Sequence, residues 1–205
     1  MSAVSPIAAH LKPGITLYLI RHGETDWNKE ARYQGQRDIP LNETGRLQAR
    51  RYGQILGSLL PEIASFDFVS SPLGRAVETM KLVRSGLGLE PHEFRTEPQI
   101  MELSYGHWEG ELASLLADRD PSGVAAKMND PFGWRPKDGE SYRDLQVRVA
   151  AWLDSLEQDT VAVTHGGVSR VARGAILGIE THRVPFLEAP QDAILKLTDG
   201  AMAWL

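Results

Sequence analysis

ITLYLIRHGETDWN, residues 15–28, sets an uncharged run directly against Arg21 and His22. Ile15, Leu17, Tyr18, Leu19 and Ile20 make a short apolar segment, as expected of a central strand buried on both faces. A second stretch, VAVTHGG (161–167), repeats the arrangement: apolar run, His165, then Gly166 and Gly167. Histidines at the ends of two buried strands stand where open α/β sheets bind their ligands, outside the carboxyl ends of the strands.

Outward from these two stretches, strand and helix alternate. Asn42 is placed to cap a helix near 43–60, with Ala49, Tyr52, Leu56 and Leu59 on one face. FDFVS (66–70) reads as a second strand, and Ser71-Pro72 as the cap and first position of a helix to about Ser85, with Gly86 past its end. Ala76, Thr79, Leu82 and Val83 would form its inner face. An extended segment near 93–97 and a helix near 111–118 precede DPFGWRPKDGE, which reads as loop. Ser141 and Asp144 make a capping box for a helix striped by Leu145, Val149, Trp152 and Leu156. TVAVT (160–164) and a helix from the His-Gly turn to about Leu177, stopped by Gly178, form a further βα unit. AILKLTDGAMAWL suggests a hairpin around Asp199-Gly200 at a sheet edge. The pattern is that of an α/β sandwich with a largely parallel sheet. Residues 15–205 are expected to form one domain, and residues 1–14 a poorly ordered tail ending at Pro13-Gly14.

Composition narrows the functional classes. The 205 residues are 42% hydrophobic and 24% charged, ordinary for a globular chain. A net charge of -5 disfavours nucleic acid and anionic membranes as partners. Cysteine is absent, which removes thiolate nucleophiles and cysteine-ligated metal, and fits a cytoplasmic location. The N-terminus has no basic and apolar pattern of a secretory signal, and no apolar run approaches the roughly 20 residues that cross a bilayer.

Arg21, His22 and His165 follow strands, and Arg75, within SSPLGRAVET, sits in the first turn of a helix. Two arginines, two histidines and a helix N-terminus would converge on one rim, a set that attracts a tetrahedral oxyanion. Phosphoryl transfer needs mainly positioning and charge neutralisation, and a neutral imidazole nitrogen can accept the phosphoryl group directly. Gly23 would let backbone approach the His22 ring or the phosphate closely. A carboxyl group must give and take the proton, and Glu102, before Gly106, is the best candidate.

RHGETDWN, RYQGQRDIPLNETG, SSPLGRAVET, MELSYGHWEG and THGGVSR, in this order over about 15–180, resemble the histidine phosphatase superfamily, in its phosphoglycerate-mutase-like branch. The resemblance implies a three-layer α/β fold and a mechanism without metal or other cofactor. It implies that His22 is the phosphohistidine nucleophile and Glu102 the proton donor and acceptor. Arg21, Arg75 and His165 would bind the phosphoryl group, with Asn28 as an added contact. The substrate would be a small phosphorylated metabolite. Candidate substrate contacts are Gln34, Gly35 and Gly166, with Arg32 and Arg37 divided between substrate and solvent; specificity would lie in 32–40 and 103–140.

Other readings compete. His10, His92, His107 and His182 are expected at the surface or in loops, Arg50 and Arg51 on a solvated helix face, Trp152 in the core and Trp108 packed beneath the site. Glu24 and Asp26 are rival acid/base groups. Two histidines and a carboxylate could bind a cation, but neighbouring arginines oppose it and no H-E-x-x-H spacing occurs. Mutases of the resembling family carry a longer insert after the glutamate, with extra basic residues. The short stretch here favours hydrolysis of a phosphomonoester over mutase action, and a catalytically weak phospho-ligand binder is the third alternative. A terminal edge hairpin is compatible with a homodimer.

Overall fold

The computed structural model describes residues 8–205. Its strands are β1 (Leu17–Arg21), β2 (Asp67–Ser70), β3 (Arg95–Thr96), β4 (Thr160–Thr164), β5 (Ile194–Thr198) and β6 (Ala201–Trp204). Its α-helices are α1 (Asp26–Lys29), α2 (Glu43–Leu59), α3 (Gly74–Gly86), α4 (Leu116–Arg119), α5 (Pro121–Asn129), α6 (Tyr142–Asp154) and α7 (Gly166–Leu177). One six-stranded sheet runs β3-β2-β4-β1-β5-β6. β1, β2, β3 and β4 pair in parallel, whereas β5 and β6 are antiparallel additions at one side.

The two-residue period of β1 divides the core. Leu17 and Leu19 pack on one face with Leu145, Val149 and Trp152 of α6 and Val168, Val171 and Ala172 of α7. Tyr18 and Ile20 pack on the other, with Tyr52 and Leu56 of α2 and Ala76, Met80 and Val83 of α3. β4 alternates likewise, Ala162 to the first layer and Val161 and Val163 to the second. The result is the three-layer α/β arrangement, with helices on both faces. Each large apolar side chain fully buried in this way contributes about 1.5–3 kcal/mol. Two central strands that face helices on both sides exclude charge from their interiors, which is why none precedes Arg21 within β1.

Several expectations change. A poorly ordered tail through Gly14 does not hold for residues 8–14: Ala9 and Leu11 are buried in the α6–α7 layer, and the Ala9 amide donates to the Ala175 carbonyl. The remainder of that tail, 1–7, lies outside the described residues. α3 starts at Gly74, not at Ser71-Pro72, and Gly86 is its last residue rather than the residue beyond it. Ser71 lies outside the helix, and its hydroxyl meets both His165 Nε2 and the Leu73 amide. Leu59 is exposed and Leu82 only half-buried, so neither completes the inner face assigned to it. The helix near 111–118 is a 3-10 turn, Ala113–Leu115, followed by α4. α5 was not expected; Asp120 caps it through the Gly123 amide and Pro121 occupies its first turn. No helix among the described residues is long and apolar enough to cross a membrane.

Candidate active site

The carboxyl ends of β1, β2 and β4 open onto a cleft of about 270 Å³, lined among others by Arg21, His22, Asn28, Arg75, Glu102 and Gly166. The His22 ring is buried, and its Nδ1 lies 2.8 Å from the Gly23 carbonyl oxygen. A carbonyl only accepts, so Nδ1 carries the hydrogen and Nε2 keeps its free lone pair. Burial, then the Arg75 and Arg21 charges, hold the His22 pKa well below the ordinary histidine value, against the opposing effect of the Gly23 carbonyl. The imidazole is therefore neutral and nucleophilic at Nε2 across the physiological range.

His165 is fully buried, its ring centroid 5.2 Å from that of His22. Arg75 Nη2 lies 3.3 Å from its Nδ1, and Ser71 Oγ 2.8 Å from its Nε2. A guanidinium only donates, so Nδ1 is the acceptor and Nε2–H donates to Ser71. Burial, then Arg75, His22, Arg21 and Arg148, push the His165 pKa well down too.

The two arginines are held by main chain. Arg75 donates from Nη1 to the Arg37 carbonyl (2.6 Å) and from Nη2 to the Gly35 carbonyl (2.7 Å). Arg21 donates from Nη1 to the Ala189 carbonyl at 2.6 Å. The Nε–H groups of both arginines are buried with no partner among the described residues. Unpaired buried donors on two cations, beside a free imidazole lone pair, are costly in isolation and are satisfied by an anion.

Glu102 lines the same cleft. Its Oε1 accepts from the Leu103 amide at 2.9 Å, and both carboxylate oxygens accept from the Gly167 amide. The N-terminus of α7 therefore holds the carboxylate. Glycine at 167 lets the carboxylate lie against the helix, since a Cβ there would stand 2.4 Å from Glu102 Oε1. Gly23 brings its carbonyl against the His22 ring and also lets α2 approach, where a Cβ on Gly23 would meet the Gly45 carbonyl oxygen at 2.3 Å.

Asn28 lines the cleft, with Oδ1 taken by Thr25 and by Gln191 Nε2 (3.1 Å). Arg32, Gln34 and Gly35 line it as well, and Gln34 Oε1 is buried without a partner among the described residues. The Arg37 side chain does not line the cleft; it is exposed, 3.8 Å from Glu109, and only its carbonyl reaches the site, through Arg75. Glu24 and Asp26 turn instead towards Asn42 Nδ2 and are not lining residues. His10, His92, His107 and His182 are exposed, as are Arg50 and Arg51. Trp108 is buried, donates to Asp120 and stacks against Trp134 and Tyr33, the last of which lines the cleft. Among the described residues no group of three or more His, Cys, Asp or Glu is arranged to hold a metal ion.

Sequence reasoning missed Ser71, Tyr33, Tyr105, Arg170 and Gln191. Gln191 Nε2 donates to the His22 carbonyl (3.0 Å) and so ties the backbone of His22 to the segment before β5. Arg170 in THGGVSR was the one with a signal, since it falls one turn beyond Gly166 on the face that meets the cleft.

The model of the histidine phosphatase superfamily (branch 1) matches residues 17–200. Among curated proteins, the chain is 30% identical to probable phosphoglycerate mutase GpmB of Enterobacter sp. (strain 638) over 196 residues, covering 93% of this chain and 88% of the relative. Among solved structures it resembles a mycobacterial glucosyl-3-phosphoglycerate phosphatase complexed with VO3, with a TM-score of 0.77 and 29% identity, over 94% of this chain and 96% of that one. It also resembles a putative alpha-ribazole-5'-P phosphatase from Escherichia coli K-12, with a TM-score of 0.77 and 27% identity, over 93% and 94% of the two chains.

Proposed function

The chain belongs to the histidine phosphatase superfamily, and on that premise we propose that it hydrolyses a small phosphomonoester through a phosphohistidine formed on His22. The observation that carries this reading is the pair of unpartnered, buried Nε–H groups of Arg21 and Arg75 beside the His22 lone pair.

His22 Nε2 attacks phosphorus as the bond to the leaving oxygen breaks, and Glu102 gives that oxygen its proton. Positive charge developing on the ring is shared with the Gly23 carbonyl through Nδ1–H. Glu102, now a carboxylate, takes a proton from water as the water oxygen attacks phosphorus, the P–N bond breaks and inorganic phosphate leaves. Arg21 and Arg75 neutralise and orient the equatorial oxygens throughout, His165 holds the Arg75 guanidinium in place from behind, and Asn28 adds a contact at the rim. Gln34, Gly35, Arg32 and Gly166 contact the rest of the substrate; Arg37 acts only through its carbonyl.

Hydrolysis is preferred to mutase action because the two arginines of 103–140 are paired with carboxylates and do not line the cleft. Arg119 pairs with Glu111, Arg135 with Asp144, and Lys127 donates to the Tyr33 hydroxyl. The relatives named as probable phosphoglycerate mutases motivate testing both reactions.

Purified protein is assayed on sugar phosphates, phosphoglycerate-like acids and nucleotide-derived monoesters, with and without His22→Ala. The expected result is phosphate release by the wild type, acid-labile phosphate trapped on the wild type during turnover, and loss of both in the variant. Undiminished turnover in His22→Ala would remove the nucleophile assignment; efficient interconversion of phosphoglycerates would replace hydrolysis by mutase action.

A further inference from the structure

The segment that carries Glu102 has little regular structure, yet its backbone is gripped from α6. Arg148 donates from Nη1 to the carbonyls of Gln99 and Met101, both at 2.7 Å, and from Nη2 to the Glu102 carbonyl at 3.0 Å. Its remaining N–H groups face Glu140, Nε to Oε1 at 3.2 Å and Nη2 to Oε2 at 3.0 Å. Glu140 Oε2 in turn accepts the Ser104 amide at 3.0 Å. Gln36, from the loop that follows the nucleophile, donates to the same Glu102 carbonyl at 3.0 Å. Three carbonyls and one amide on both sides of Glu102 are thus fixed by one largely buried ion pair, with side chains 19% and 26% exposed. Neither member of the pair lines the cleft.

We propose that Arg148, with Glu140, is the positioning residue of the proton donor, setting where the Glu102 carboxyl stands relative to the leaving oxygen. This rests on the reading of Glu102 as that donor. A guanidinium fork can bind adjacent carbonyls and a carboxylate at once, while lysine, with one nitrogen, cannot. A side chain that holds only the fold would affect every substrate alike. One that holds the acid matters only where the leaving group needs a proton. An alkoxide needs one; a nitrophenolate does not.

The test compares kcat/KM for an alkyl phosphate and for nitrophenyl phosphate in the wild type, Arg148→Met, Arg148→Lys, Glu140→Gln and Glu102→Gln. Arg148→Met is expected to lose on the order of a hundredfold on the alkyl phosphate, the scale of a displaced catalytic group, and far less on nitrophenyl phosphate. Arg148→Lys falls between. Adding Arg148→Met to Glu102→Gln deepens the selective loss no further. Glu140→Gln gives the same selectivity and serves if Arg148→Met fails to fold. Equal losses on both substrates in Arg148→Met and Glu140→Gln, alongside a selective loss in Glu102→Gln, overturn the positioning role and leave the donor assignment standing. No selective loss in Glu102→Gln itself removes the donor assignment, and the proposal with it.

Discussion

The Gly167 amide donates to both carboxylate oxygens of Glu102, at 3.1 Å to Oε1 and 3.2 Å to Oε2. The carboxylate thus sits on the N-terminus of α7, the helix whose N-cap residue is His165, so Glu102 and the imidazole that contacts Arg75 are held by one rigid element.

This contact makes Gly167→Ala informative. The new Cβ would meet Glu102 Oε1 at 2.4 Å, and the carboxylate, as the end of a flexible side chain, moves away. Alanine suits a helix, so urea denaturation should place stability within about 1 kcal/mol of wild type. Hydrolysis of alkyl phosphates should nevertheless fall by about two orders of magnitude, the lower range for losing a general acid. Full activity in this variant would mean that the acid does not need its present position.

Ser71→Ala removes the acceptor of the His165 Nε2–H bond. A buried donor left unsatisfied costs about 1–3 kcal/mol, and the tautomer that presents Nδ1 to Arg75 loses its support. Nitrogen-15 shifts of the imidazole should report a mixture of tautomers, with kcat reduced while His22 remains phosphorylatable. A single unchanged tautomer would contradict the assignment.

The two buried histidines make stability depend on pH. Both have folded pKa values well below the ordinary value of about 6.5. As pH falls below that value the unfolded chain binds protons that the folded chain refuses, so stability is full above it and declines below. The slope is about 1.4 kcal/mol per pH unit for each histidine until its folded pKa is reached. Replacing His22 with Asn should make the decline between about pH 6.5 and pH 5 shallower by one such slope. Denaturation curves across that window measure it, and an unchanged slope would count against a neutral, buried His22.

Gly23 and Gly45 let the loop after β1 and α2 touch backbone to backbone; a Cβ on Gly45 would meet the Glu24 carbonyl oxygen at 2.2 Å. Neither backbone can swing aside as a side chain would. Gly45→Ala should therefore lower stability by about 3 kcal/mol, the upper range for overpacking, read as a lower urea midpoint at unchanged slope. A midpoint equal to wild type would show that the two segments are not in contact.

What was legible in the chain was whatever follows from local rules. Arg21, His22 and His165 could be placed because each ends a strand whose apolar run announces burial, and Arg75 because it opens a helix. The capping box at Ser141 and Asp144 formed as the spacing required. Ser71 misled because Ser-Pro is a good helix start by itself, and only the fold brings His165, 94 positions away, to its hydroxyl. α5 escaped notice because it buries none of its residues fully, so it has no apolar stripe to read, although Asp120 and Pro121 were start signals. Arg148 and Gln191 bond to carbonyls distant in sequence, and a carbonyl leaves no mark on residue identity.

The stretch after α7 is gripped through its main chain. The carbonyls of Leu187, Glu188 and Ala189 receive Arg170 Nε, Arg173 Nη2 and Arg21 Nη1 in turn. Every residue supplies a carbonyl, so the identities of 187 and 188 can drift without disturbing these grips. Their number cannot. Removing one residue would offset the row by a step and leave Arg21 facing the wrong oxygen, so this stretch should accept substitution and reject deletion.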